Sequence, residues 1–235
     1  TIIPRLVLRR KNMSFSETLL ERAQPMMSAI MSHPFVEAIA NGQVPHNVLN
    51  YYVEQDEHYL KDYLQVTSLA ITKTTNAEDI TNLLATAAFV QNESQAHEVM
   101  LGITGHHIEN WQREPETKRY TDHMYASAYH GTYADAIAVL LPCAWSYAVI
   151  GEQLVSRGAN REQNPLKEWI ELYAPQKNSD TPDYNIWRFE ALNRAVTTLN
   201  NEQKEHVAQT FLCSLEMEWH FWEAAWQQKT WQFQH

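Results

Sequence analysis

The sequence predicts an all-α fold in a single domain, and three observations carry that expectation. Apolar residues recur at spacings of three and four along the chain, and no run alternates residue by residue as a half-buried strand would. Only 6 glycines and 9 prolines occur in 235 residues, which suits few turns and long helices. Helix punctuation flanks the periodic segments: Ser14-x-x-Glu17 and Thr75-x-x-Glu78 have the capping-box pattern, and Gly42 and Gly131 stand where helices should stop. Internal repeats and low-complexity linkers are not evident.

Residues 1–12 mix apolar side chains with Arg5, Arg9, Arg10 and Lys11, so they form no continuous signal-peptide core. They are set aside as a leader, and the catalytic domain is expected over residues 13–235. The first helix should begin after Ser14 and run toward Ser32, with a kink at Pro25. His33-Pro34 opens a short helix ended by Gly42, and Pro45 starts a long one reaching about Thr74. The Thr75 capping box begins a helix to Gly102 or Gly105. A polar stretch around Glu114-Pro115 follows, then a helix containing Tyr120 to His130. The next runs from Thr132 to about Arg157, interrupted by Pro142. Asn164-Pro165 caps a short helix through Tyr173, Thr181-Pro182 begins the penultimate helix, and Glu202 the last.

Composition excludes several function classes. Net charge is −10 and no basic stripe exists beyond the leader, which argues against nucleic-acid binding. Two cysteines make no disulfide framework, so a cytoplasmic protein is expected. No apolar run approaches the roughly 20 residues that span a bilayer. The 8 Trp and 11 Tyr either fill the core or wall a ring-binding pocket.

Three places break the apolar-inside pattern. Tyr52, Asp56, Tyr59 and Tyr63 repeat at four, three and four, which puts an aspartate on a narrow aromatic stripe. It is either a structural acceptor for a tyrosine hydroxyl or a functional carboxylate. Glu218 shares a face with Phe211, Ser214, Leu215, Phe221 and Trp222, while Glu216, His220 and Glu223 point away. A buried carboxyl must be paired, hydrogen-bonded or protonated, so Glu218 is either an interhelical salt-bridge partner or a proton-transfer group. Cys143 follows Pro142 within an apolar helix, with Tyr147 one turn on. It is either a small buried hydrophobe or a nucleophile. Cys213 has no such context.

The stretches His33-Pro-Phe-Val36, Tyr52-Val-Glu-Gln-Asp56-Glu-His-Tyr59-Leu60, Leu141-Pro-Cys143-Ala-Trp-Ser-Tyr147 and Glu218-Trp-His-Phe221-Trp222 resemble those of the TenA, or thiaminase II, family. The four lie in register from about Phe15 to Trp226, nearly the whole chain. The resemblance implies a haem-oxygenase-like helical bundle that binds no haem and needs no cofactor. It implies hydrolysis of 4-amino-5-aminomethyl-2-methylpyrimidine to the 5-hydroxymethyl compound and ammonia, with cleavage of thiamine as a side activity. A homotetramer is implied as well. Residue by residue, Cys143 matches the nucleophile and Glu218 the acid/base. Asp56 matches the carboxylate that holds the ring's amino group and nitrogen. Tyr59, Tyr120, Tyr147, Tyr173 and Phe221 match the aromatic lining. His58 and Ala144 depart from the bulkier residues common in relatives, which leaves the preferred pyrimidine open. Cys143 places the chain outside the branch that carries glutamate there.

Two rival readings follow from the same residues. Glu54 with His58, and Glu93 with His97, stand one turn apart as ligands of a di-metal oxidase would, although ferritin-like sites use a spacing of three. A non-catalytic pyrimidine or thiamine binder would use the same aromatic pocket. The site is expected to hold no metal.

Overall fold

The computed structural model describes residues 13–92, 94–107, 112–174 and 186–233. Among these, every regular element is a helix: α1 (Phe15–Met31), α2 (Pro34–Asn41), α3 (His46–Ile71), α4 (Ala77–Asn92), α5 (Ser94–Thr104), α6 (Pro115–His130), α7 (Tyr133–Ser156), α8 (Lys167–Tyr173), α9 (Ile186–Ala195) and α10 (Asn201–Gln227). The leader and the Thr181-Pro182 helix start lie outside the described residues.

Local chemistry sets most boundaries. The Ser14–Glu17 capping box starts α1, which continues through Pro25. At α2, His33 accepts the Phe35 N–H at its Nδ1, and Pro34 takes the first turn, where its missing donor costs nothing. Gly42 ends the helix in the left-handed conformation, at φ 70°. Asp135 accepts from both the backbone N–H (2.6 Å) and the hydroxyl (2.8 Å) of Thr132, which fixes the start of α7.

Some boundaries differ from expectation. The cap of α4 is Asn76, whose side chain accepts from the N–H groups of Glu78 and Asp79, both at 3.0 Å. Its carbonyl oxygen reaches these donors from one residue nearer than Thr75. The helix expected from Thr75 to Gly102 or Gly105 is described as α4 and α5, on either side of residue 93, and α5 ends at Thr104. Pro142 does not interrupt α7, which runs on to Ser156.

Helix α7 is the centre of the bundle, packed against α10, α6, α8, α9 and α3. Every residue from Ala134 to Pro142 is buried. Contrary to the sequence reading, this helix is long and apolar enough to cross a membrane. However, 72% of its most apolar window is buried within the bundle, as expected of a core helix. Tyr63 on α3 donates to the Leu140 carbonyl of α7 at 3.2 Å, just before Pro142 and Cys143. His33 joins α2 to α10 through Glu223 at 3.0 Å. Gln55 brackets the stretch before α6, donating to the Gln112 carbonyl and accepting from the Glu114 N–H, both at 2.9 Å.

Gly151 allows the closest helix approach. A Cβ there would stand 2.6 Å from both the Tyr173 carbonyl carbon and the Ala174 nitrogen, so the end of α8 rests directly on α7. Because backbone rather than a flexible side chain lies in the way, Gly151→Ala is expected to cost about 1–3 kcal/mol, read as a lower Tm, and to displace Tyr173.

Candidate active site

Helix periodicity makes the site. On α3, the stripe of Tyr52, Asp56, Tyr59 and Tyr63 is buried along its length, at 1%, 5%, 3% and 3% exposure. On α10, Glu218 is 1% exposed and lies in the apolar face, while Glu216 faces solvent. Helix α7 contributes Cys143 and Tyr147, α6 contributes Tyr120, and the end of α8 contributes Tyr173.

The carboxyl of Glu218 is the hub. Tyr120 donates its hydroxyl to Glu218 Oε1 at 2.6 Å, and Glu218 is also hydrogen-bonded to Cys143. Burial pushes the Glu218 pKa from its ordinary 4.5 up to about 8. The Asp56 charge pushes the same way, and the bonds from Tyr120 and Cys143 oppose both. Its partners are not cations, so Glu218 is a hydrogen-bonded acid rather than half of a salt bridge.

The other side chains surround this pair. Tyr59, Tyr120 and Tyr147 are held well above the usual tyrosine range, first by burial and then by neighbouring charge, with Cys143 and Glu218 acting on all three. Tyr59 lies 4.9 Å from Tyr120 and 5.8 Å from Phe221, ring centre to ring centre, and Tyr147 lies 4.9 Å from Tyr173. The buried Tyr59 hydroxyl is hydrogen-bonded to Tyr120, which works against the rise in the Tyr120 pKa. Tyr147 shares a hydrogen bond with Tyr52, hydroxyl to hydroxyl, at 2.8 Å. Behind them Trp222 stacks on Tyr52, with centres 5.6 Å apart and planes at 18°. All eight residues singled out in the sequence, Cys143, Glu218, Asp56, Tyr59, Tyr120, Tyr147, Tyr173 and Phe221, thus belong to one connected group.

Two contributors were not assigned to the site from the sequence. Tyr52 was read as part of the stripe, without its bond to Tyr147. His97 was read only as a possible metal ligand with Glu93, which lies outside the described residues. In the fold, His97 Nε2 is 2.8 Å from Asp56 Oδ2, so the described partner of Asp56 is a histidine rather than a tyrosine. Glu54 pairs with His106 at 3.1 Å. Among the described residues, Glu54 and His97 thus face different partners.

Glu218 gives a pH-dependent prediction. Between pH 4.5 and about 8 the folded protein holds a proton on Glu218 that the unfolded chain has lost, so this group's contribution to stability falls as pH rises through that window. Glu218→Gln keeps an acceptor for Tyr120 and removes the cost of the buried charge. Relative to the parent, its stability is expected to rise progressively from pH 5 to pH 9, by an amount on the order of 4 kcal/mol, read as a higher Tm. Thermal melts at several pH values check this.

Comparison with known proteins places these features in a family. Residues 20–228 match the model of the TENA/THI-4/PQQC family. A Halalkalibacterium halodurans protein named aminopyrimidine aminohydrolase is 30% identical over 225 residues, covering 94% of this chain and 99% of its own. A TenA homologue from P. horikoshii OT3 superposes with a TM-score of 0.75 at 22% identity, covering 92% of this chain and 99% of that one. A Shewanella denitrificans domain described as having a heme oxygenase-like fold covers 93% of this chain and 94% of its own, with a TM-score of 0.60 at 12% identity. The chain therefore has the haem-oxygenase-like helical fold and belongs to the TENA/THI-4/PQQC family.

Proposed function

We propose that this protein is an aminopyrimidine aminohydrolase of thiamine salvage, acting on 4-amino-5-aminomethyl-2-methylpyrimidine. The observation that carries the reading is the buried Glu218 carboxyl hydrogen-bonded to the Cys143 thiol, with Asp56 close enough to raise its pKa. The relatives' activity supports the reaction class, a hydrolysis.

The chemistry is hard because an amine is a poor leaving group and a pyrimidine a sluggish electrophile. Covalent addition divides the displacement into easier steps. Glu218, pushed up to about 8, takes up and releases a proton near neutral pH at little cost. In the fraction of molecules in which it is ionised, it takes the Cys143 proton, which yields both species the reaction needs, a thiolate and a carboxylic acid. The thiolate adds to the ring, and the ring's electrons then expel the side-arm amine, which takes the Glu218 proton and leaves as ammonia. Water adds to the side-arm carbon, giving its proton back to Glu218. The ring electrons return, the thiolate departs, and the net change is amine plus water to alcohol plus ammonia. General acid–base catalysis of this kind is typically worth 10²–10⁴-fold.

The remaining groups orient the ring. Asp56 meets the amino group and ring nitrogen, and Tyr59, Tyr173 and Phe221 wall the ring faces. Tyr120 has its one proton committed to Glu218, so the hydroxyl that supports the thiolate is that of Tyr147, which shares a hydrogen bond with Tyr52. The same site is expected to cleave thiamine more slowly, and a homotetramer and a cytoplasmic location complete the proposal. Exposed Leu84, Tyr129 and Ile186 offer apolar surface for assembly, whereas Trp226 and Trp231 are half-buried within the chain itself.

An ammonia-release assay over thiamine fragments tests the function, with the aminomethylpyrimidine expected to be the best substrate. Cys143→Ala and Cys143→Ser should abolish turnover, and Glu218→Gln should bind the pyrimidine while losing at least about 100-fold in kcat. Pyrimidine-induced thermal stabilisation without ammonia release from the parent protein would make it a binder instead.

A further inference from the structure

His97 stands at 5% exposure on α5, which packs against α3. Its Nε2 faces Asp56 Oδ2 at 2.8 Å, and its Nδ1 faces Glu57 Oε2 at 3.4 Å. With a carboxylate oxygen at Nε2, that nitrogen carries a proton and donates it. The contact matters because an aspartate's terminal torsion is broad and does not by itself fix the plane of its carboxylate. Asp56 is nevertheless the group that must match two adjacent atoms on a flat ring, a task that depends on that plane. Glu57, one residue along α3, stands beside the other ring nitrogen.

We propose that His97 is the positioning residue for Asp56: its Nε2–H locks the carboxylate plane and occupies Oδ2, leaving Oδ1 for the amino-substituted edge of the pyrimidine. This rests on the aminopyrimidine reading and names what prepares its recognition group. His97 touches neither the ring nor the reacting atoms. The Asp56 charge also helps keep Glu218 protonated, so a carboxylate held in one place serves both the recognition of the ring and the acid. The support comes from α5, across the interface with α3.

Two amide variants separate positioning from mere packing. In His97→Gln the side-chain nitrogen falls near the original Nε2 and still donates to Asp56. In His97→Asn it falls near Nδ1, faces Glu57, and does not reach Asp56. Ammonia release from the aminomethylpyrimidine should show His97→Gln within a few-fold of the parent, and His97→Asn with KM raised about 10–100-fold and a smaller change in kcat. On an Asp56→Asn background His97→Asn should cost little more, because the residue acts through the carboxylate that has been removed. Equal losses in the two amides, failure of His97→Gln to fold, or an undiminished loss on the Asp56→Asn background would overturn the assignment. Inactivity of the parent protein itself would instead remove the underlying functional reading, which keeps the two failures apart.

Discussion

A carboxyl group sealed inside a helical bundle constrains everything around it. Glu218 lies at the middle of the apolar face of α10, where an ionised carboxylate would be costly. The surrounding fold neither removes that cost with a cation nor leaves the group without partners. It supplies Tyr120 and Cys143, which temper the rise in pKa without cancelling it. The group therefore remains an acid near neutral pH. The bundle gives up stability at this position, and the same unpaired acid gives the site its chemistry.

The arrangement depends on helices whose order in sequence differs from their order in space. Asp56 and Tyr59 come from α3, Tyr120 from α6, Cys143 and Tyr147 from α7, and Glu218 and Phe221 from α10. The central helix makes this possible because its first half is buried on all sides. The Tyr63 bond to the Leu140 carbonyl ties α3 to α7 beside Cys143, and His33 ties α2 to α10 near the opposite end of the aromatic group. Gly151 lets α8 close the remaining side with Tyr173.

Much of this was legible in the sequence because helical periodicity turns spacing into direction. The inward turn of Asp56 and Glu218, and the outward turn of Glu216, follow from phase alone. Pro34, Gly42 and Gly131 marked helix ends through backbone preferences that act locally. Partners across helices were not legible. Nothing in the sequence of α5 marks His97 as the neighbour of Asp56, because that contact depends on how two helices pack. The bond between Tyr52 and Tyr147 was hidden for the same reason. Asn76 was passed over as a cap because Thr75-x-x-Glu78 offered a more familiar pattern. Pro142 suggested a break, yet buried packing on every side carries the helix through it.

The stacking of Trp222 on Tyr52 has an optical consequence. Trp222 is fully buried, lies 5.3 Å from the ring of Tyr147, and sits one residue from Phe221. Its indole is therefore a chromophore packed against the tyrosine pair of the site. Occupancy or ionisation changes in the pocket alter the electric field at that indole, so the protein carries a native emission signal for its own active centre.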